Sequence, residues 1–270
     1  MLLLSDMDAQ QPIGIFDSGI GGLTAAHEIS NLLPQEKIIY YGDTANMPYG
    51  KRTAQEIIVL SKKITEFLLS KNAKLIIIAC NSASANAASY LRKNYHHKVE
   101  IRGVIRPMIE EVVQRKYKNI GIIGTKATIN SKVYDQIFAE LNYSLKINSM
   151  ATPKLAAMIE QKVQKAEIQK ALEEYLGQES FKDIEALLLA CTHYPIVKQE
   201  FVKFFNSKVD ILDNAFFIAQ NTREYLKRNQ LLAQSKSGKD EFYVSKLTDS
   251  FKENATAFFK REISIKKVNL

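Results

Sequence analysis

Two cysteines occur in the 270 residues, and each closes an apolar run in nearly the same phrase. Cys80 ends LIIIAC and leads into NSASA; Cys191 ends ALLLAC and leads into THYPI. An apolar run ending in a small residue, a cysteine and then a polar residue reads as a buried strand delivering a thiol to a loop. The phrase recurs 111 positions later (191 − 80), which predicts two thiols at matching places in two similar halves. Facing proton-transfer groups are what stereo-inversion at a carbon centre requires. Both cysteines precede expected helices, whose N-terminal N–H groups and dipole favour a thiolate. A buried cysteine is ordinarily a small core residue. Two in one local setting, each beside hydrogen-bonding neighbours, point instead to function.

Other polar groups fall where open α/β sheets bind ligands, beyond the carboxyl ends of strands. Asp17 and Ser18 follow the first expected strand, Asp43 the second, and Asn81 and Ser82 continue from Cys80. In the second half the corresponding residues are Thr125 and Thr128, then Thr192 and His193. Residues i and i+2 of an extended segment share a face, which brings His193 toward Cys191 or its substrate. The turn DSGIGG has two readings. With Asp43 it resembles a dinucleotide-binding turn, although Thr24 stands where the third glycine belongs. Alternatively its glycines give a tight turn whose amides receive a substrate carboxylate. Asp17 also suits a turn or helix N-cap, and His193 a structural role.

The elements that must position these groups alternate apolar strands with amphipathic helices, which predicts an α/β layered fold with mainly parallel strands. Strands are expected at 12–16, 37–43, 74–80 and 99–105, and helices at 23–33, 54–71, 83–94 and from Pro107 to about Lys116. The scheme then restarts with NIGIIGT (119–125), an echo of PIGIFDS. Gly14 to Cys80 spans 66 positions and Gly121 to Cys191 spans 70, so two like domains related by pseudo-symmetry are predicted. A helical stretch is expected over 156–176 and a helix over 196–205 opened by Pro195, a residue favoured in a first turn. A polar loop (234–241) then precedes a last strand, FYVSK, and a closing helix.

Composition narrows the function classes. An apolar fraction of 46% and a charged fraction of 24% suit a globular protein with a sizeable core. No apolar run approaches the ~20 residues needed to cross a bilayer. The opening MLLLSDMDAQQ lacks a basic start and reads as a frayed extension rather than a secretory signal. Two cysteines without CxxC or a Cys/His cluster argue against a disulfide scaffold or a zinc site, and place the chain in the cytoplasm. The net charge of +8 is spread along helices with glutamates nearby, and no nucleic-acid-binding motif accompanies it. Nucleic acid is therefore not an expected partner, while an anionic small substrate gains from such a field.

Five segments in register, PIGIFDSGIGGLT, YYGDTANMPYGKR, ACNSASA, GTKATINSKVY and LLLACTHYPIV, together resemble the glutamate racemase family of the aspartate/glutamate racemase superfamily. The resemblance runs from about residue 12 to 225, and the tail FYVSKLTDSFKENATAFF is also similar. It implies a cofactor-independent isomerase that makes D-glutamate for peptidoglycan, a cytoplasmic homodimer with no metal. It implies two three-layer α/β domains, with the active site in the cleft between them. One comprises 1–103 with 213–270, carrying Asp17 and Cys80, and the other 104–212, carrying Thr125, Cys191 and His193.

The resemblance also assigns roles. Cys80 and Cys191 match the family's two acid/base thiols, Cys80 serving D-glutamate and Cys191 L-glutamate. Asp17 and His193 match residues that assist those thiols, and Glu160 in AAMIEQK a further carboxylate. Substrate contacts are implied for Asp17, Ser18, Tyr49, Gly50, Asn81, Ser82, Thr125, Thr128, Thr192 and His193. The chain departs from the family where Ser82 replaces a threonine, where Arg106-Pro107 replaces Glu-Pro, and where PKLAAM stands for a Pro-Leu-Phe-Val-Pro-Leu pattern. Competing readings are a racemase of aspartate or another acid, an NAD-dependent oxidoreductase, and a nucleic-acid-binding or regulatory protein.

Overall fold

IGIFD (Ile13–Asp17, β1) is buried along its whole length, as a strand covered on both faces must be. The structure, a computed structural model, describes residues 8–259 and 263–270, so most of the expected N-terminal extension lies outside the described residues. After the glycine turn come α1 (Leu23–Leu32), β2 (Ile38–Gly42), α2 (Ala54–Ser70) and β3 (Leu75–Ile78). Thr53 and Glu56 start α2 with a reciprocal capping box, and Ile57, Ile64 and Leu68 form its buried stripe. The helix expected over 83–94 is two: α3 (Asn81–Asn86) and α4 (Ala88–Tyr95). Asn86 donates its side-chain amide to the Ser82 carbonyl at 2.9 Å, in competition with the helical ladder at the break. Next come β4 (Glu100–Gly103) and α5 (Ile105–Arg115), which begins before Pro107 and places it in the first turn.

The second half repeats the plan with β5 (Asn119–Gly124), α6 (Lys126–Asn130), α7 (Val133–Glu140), β6 (Lys146–Ala151), α8 (Leu155–Glu160), α9 (Lys165–Leu176), β7 (Ala186–Ala190), α10 (Lys198–Phe204) and β8 (Asp210–Asp213). The expected helical stretch 156–176 is interrupted between α8 and α9. Lys162 takes a left-handed φ of 53° while Val163 N–H bonds to the Met158 carbonyl at 3.2 Å, a helix-ending turn. Pro195 opens a short 3₁₀ turn (Tyr194–Val197), and α10 follows it. Arg106, the departure noted at the domain junction, pairs with Glu140 of α7 at 2.7 Å on the surface.

The chain closes with α11 (Asn214–Arg228), β9 (Glu241–Val244), α12 (Asp249–Phe259) and β10 (Ile265–Lys267). FYVSK is thus not the last strand. β10 is three residues with two of them exposed, too short to show a period in sequence.

Every paired strand is parallel. One sheet has the order β10-β9-β2-β1-β3-β4 and the other β6-β5-β7-β8, so the arrangement of β2-β1-β3-β4 recurs in the second sheet. Side chains alternate across each strand. Ile13, Ile15, Leu75 and Ile77 join Ile120, Ile122, Ala186 and Leu188 in one core that also takes in α1, α5 and α11. The opposite faces are covered by α2 and α4 on the first sheet and by α8, α9 and α10 on the second. Helices shared between the sheets therefore hold the two halves together, with the carboxyl ends of β1, β3, β5 and β7 turned to a common cleft.

Candidate active site

Strand and helix boundaries set the two thiols in equivalent positions. Cys80 is two residues past β3 and occupies the N-cap position of α3, while Cys191 immediately follows β7. Both are free and buried, at 4% and 6% exposure, and both line one narrow pocket of about 30 Å³. The Cys80 thiol donates to Ser18 Oγ at 3.6 Å, and Cys191 Sγ lies 3.9 Å from His193 Nδ1. Each thiol thus has a polar neighbour from its own half.

The helix-start donors anticipated from sequence are present but do not prevail. Burial, with Asp17's negative charge second, pushes the Cys80 thiol up to about 12. Backbone N–H groups of Ala83 and Ser18 pull the other way without offsetting it. Burial likewise pushes Cys191 well above the ordinary thiol range, against the pull of the His193 backbone N–H, with Cys80's charge adding to the rise. With burial the first cause at both sites, the two thiols favour their protonated forms in this conformation.

Asp17 is fully buried beneath the pocket. Its Oδ2 accepts from Gly19 N–H at 3.0 Å and its Oδ1 from Thr192 Oγ1 at 3.3 Å. It acts on Cys80 through charge, and Ser18 makes the hydrogen bond. The glycine turn serves close approach. A Cβ on Gly21 would stand 2.4 Å from Thr192 Oγ1, and one on Gly22 2.4 Å from the Asp17 Cβ. The Gly19 amide is committed to Asp17, which sets aside its use as a substrate-carboxylate donor. Asp43, the residue behind the dinucleotide reading, instead accepts from Tyr49 OH at 2.6 Å and so fixes that ring in the cleft wall.

On the Cys191 side, His193 Nε2 stands 3.7 Å from Glu160 Oε2 of α8. That atom of His193 is buried and has no hydrogen bond. Burial raises the Glu160 carboxyl, His193 opposes the rise, and Asp17 adds to it. Cys191, His193 and Glu160 thus form a file from the inner pocket to an outer cavity of about 200 Å³. The two spaces share Ser18, Pro48, Gly50, Thr125, Ala156 and His193 as a common wall.

Hydroxyls join the halves across the cleft. Ser82 Oγ is 2.9 Å from Thr125 Oγ1 and 3.4 Å from Thr128 Oγ1, and the two threonines are 3.1 Å apart. Thr125 also caps α6 by accepting from Thr128 N–H. The Ser82 hydroxyl therefore suffices for this network without the family's methyl. Of the sequence-assigned residues, Ser18, Tyr49, Gly50, Cys80, Asn81, Ser82, Thr125, Cys191, Thr192 and His193 line the inner pocket. Asp17 and Thr128 are buried and bond to its lining residues Thr192 and Ser82, and Glu160 lines the outer cavity. Among the described residues no cluster of three or more His, Cys, Asp or Glu is placed to hold a metal ion.

Residues 24–218 match the family model described as Asp/Glu/Hydantoin racemase. The chain belongs to this family. It is 37% identical over 261 residues to a glutamate racemase of Fusobacterium nucleatum, covering 96% of this chain and 97% of that one. The structure of a glutamate racemase isoform from Bacillus anthracis superposes with a TM-score of 0.92 at 32% identity, covering 97% and 98% of the two chains. One from Francisella tularensis, solved in complex with D-glutamate, superposes with a TM-score of 0.89 at 32% identity over the same shares.

In this member of the racemase family, sequence reasoning missed several wall residues. Met47, Pro48 and Ala156 line the cavities without carrying a chemical signature. Asn214 and Tyr134 meet Asn81 from helices far away in sequence, and nothing local in the sequence marks that convergence. No helix of the described residues is long and apolar enough to cross a membrane.

Proposed function

We propose that this chain interconverts L- and D-glutamate without a cofactor by two-base proton transfer between Cys80 and Cys191. The observation that carries the reading is the pair of buried thiols, one from each half, lining a single narrow pocket. The α-hydrogen of an amino acid is a weak acid, so the developing charge must be met by oriented donors with water kept out. Asn81 and Ser82 hold the carboxylates and amine that fix Cα between the sulfurs, while the Thr192 hydroxyl is given to Asp17. With L-glutamate bound, His193 takes the Cys191 proton, and the resulting imidazolium faces the Glu160 carboxylate. The Cys191 thiolate then breaks the Cα–H bond and gains the proton. The Cys80 thiol gives its proton to the opposite face of Cα and becomes the thiolate. The reverse direction runs the same steps backwards from the Cys80 thiolate, and between turnovers the proton held by His193 returns to Cys80 through water.

Residues 1–103 with 213–270 form one domain and 104–212 the other, a division supported by the two sheets. Two free thiols favour the cytoplasm. The homodimer and the supply of D-glutamate to peptidoglycan rest on the family resemblance.

The test is racemisation by the purified protein with no added cofactor, run on glutamate and aspartate in parallel. Cys80→Ala and Cys191→Ala should each abolish turnover, and in D2O the product should carry solvent deuterium at Cα. Normal turnover by either variant rejects the two-base scheme; faster turnover of aspartate reassigns the substrate.

A further inference from the structure

The Asn81 side-chain NH2 is buried and has no hydrogen-bond partner, although it neighbours Cys80 in the wall of the inner pocket. Buried amide donors are almost always paired. What holds this one unpaired lies on its other side. Asn81 Oδ1 accepts from Asn214 Nδ2 at 2.8 Å and, more weakly, from Tyr134 OH at 3.4 Å.

The direction of these bonds is set by the backbone group that Asn214 Nδ2 meets, and it leaves Asn214 Oδ1 buried without a partner. Asn214 Nδ2 also faces the Leu189 carbonyl oxygen at 3.5 Å, and a carbonyl only accepts. Reversing both amides would set the Asn214 oxygen against the Leu189 oxygen. Asn214 therefore turns its NH2 toward both Leu189 and Asn81, and Asn81 must answer with its oxygen. Its own NH2 is left turned away from Asn214, unpaired in a residue that lines the inner pocket. We propose that the Leu189 carbonyl, Asn214 and Tyr134 form a polarity relay that holds the Asn81 NH2 toward a substrate carboxylate, which makes Asn214 and Tyr134 positioning residues for racemisation.

The relay also ties this donor to the architecture. Leu189 lies in β7, Tyr134 in α7, and Asn214 opens α11 directly after β8. α11 then packs on α1 and α5 between the sheets. The donor facing the substrate thus depends on the segment by which the chain leaves the second sheet.

The proposal rests on the reading that glutamate occupies the inner pocket with a carboxylate at Asn81. Its test is a double-mutant cycle in the full chain, read as KM and kcat for both enantiomers together with the thermal midpoint. Asn81→Ala should raise KM about tenfold, the scale of one hydrogen bond to a charged group. Asn214→Ala should raise KM severalfold with kcat little changed, the signature of lost binding common to ground and transition states. In the Asn81→Ala background it should add nothing further. Tyr134→Phe should have a smaller effect of the same kind, equally silent in that background. Asn214→Ser, which keeps a donor, should recover part of the loss and serves where Asn214→Ala does not fold. An unchanged KM in Asn81→Ala overturns the substrate contact and the relay with it. A raised KM in Asn81→Ala, with Asn214→Ala either silent alone or still costly in the Asn81→Ala background, overturns the relay and leaves the contact standing.

Discussion

Thr192 donates its hydroxyl to Asp17 at 3.3 Å, so that a residue beside the second thiol supports a carboxylate beside the first. The two come from opposite sheets, at the ends of β7 and β1. Gly21 packs against the same Thr192 hydroxyl with no room for a side chain. The charge that acts on Cys80 is thereby held partly by the half that carries Cys191. Proton-transfer groups on the two sides are not independent devices.

Thr192→Val keeps the shape and removes the donor. A buried bond to a charged acceptor contributes about 1.5–3 kcal/mol, and about 1 kcal/mol corresponds to ~2–4 °C in Tm for a chain of this class. A Tm lowered by several degrees and a kcat/KM lowered about tenfold are expected, with Thr192→Ser restoring most of both. Equal values for the valine and serine variants would show that the bond to Asp17 contributes nothing.

Gly50 is a second point where the halves meet closely. A Cβ there would lie 2.5 Å from the Thr125 Cβ and 2.6 Å from its methyl, well inside contact distance. Overpacking of this kind typically costs about 1–3 kcal/mol, and here the displaced wall includes the Ser82–Thr125 hydroxyl pair. Gly50→Ala should lose at least about tenfold in kcat/KM, more than its fall in Tm would explain. A variant with wild-type kinetics and stability would show that the cleft wall yields freely.

How far the site was legible follows from where its signals sit. Cys80 and Cys191 each close a fully apolar strand, and that local pattern survived folding intact. The groups beside them in sequence, Asn81, Ser82, Thr192 and His193, came with them into the pocket. Elements with weak patterns were missed: β6 is half exposed along its length, and β10 has three residues. Helix breaks at Ala87 and Lys162 depend on a side-chain hydrogen bond and a left-handed turn rather than on periodicity. The pull of the helix-start donors toward thiolates is outweighed for another reason. Helix-start donors are local and readable, whereas the burial that outweighs them in both thiols is a property of the assembled halves.

That burial has a consequence for stability at alkaline pH. The folded Cys80 thiol is pushed up to about 12 and Cys191 is also raised, while an unfolded thiol titrates near ~8.5. Below ~8.5 both states keep the protons and the thiols impose no penalty. Above it the unfolded chain releases protons that the fold retains, so stability falls with rising pH until the folded thiols ionise. Wild-type Tm should therefore decline more steeply above ~8.5 than that of a Cys80→Ser/Cys191→Ser variant, by up to about one proton per thiol in the linkage slope. Parallel curves would mean that the folded thiols ionise as readily as unfolded ones.

Lys51 and Lys126 stand on opposite halves of the outer cavity, both exposed, with Glu160 deeper in the same wall. Glutamate carries a net negative charge at neutral pH, so two ammonium groups at the entrance raise its local concentration. Exposed charges act over about a Debye length, ~10 Å at 0.1 M salt, so this contribution fades as salt rises. Lys51→Ala/Lys126→Ala should lower kcat/KM severalfold at low ionic strength and leave kcat nearly unchanged. Its kcat/KM should also vary less with added salt than that of the wild type. A variant that keeps the wild-type salt dependence would move the attraction to the general +8 charge of the chain rather than to this pair.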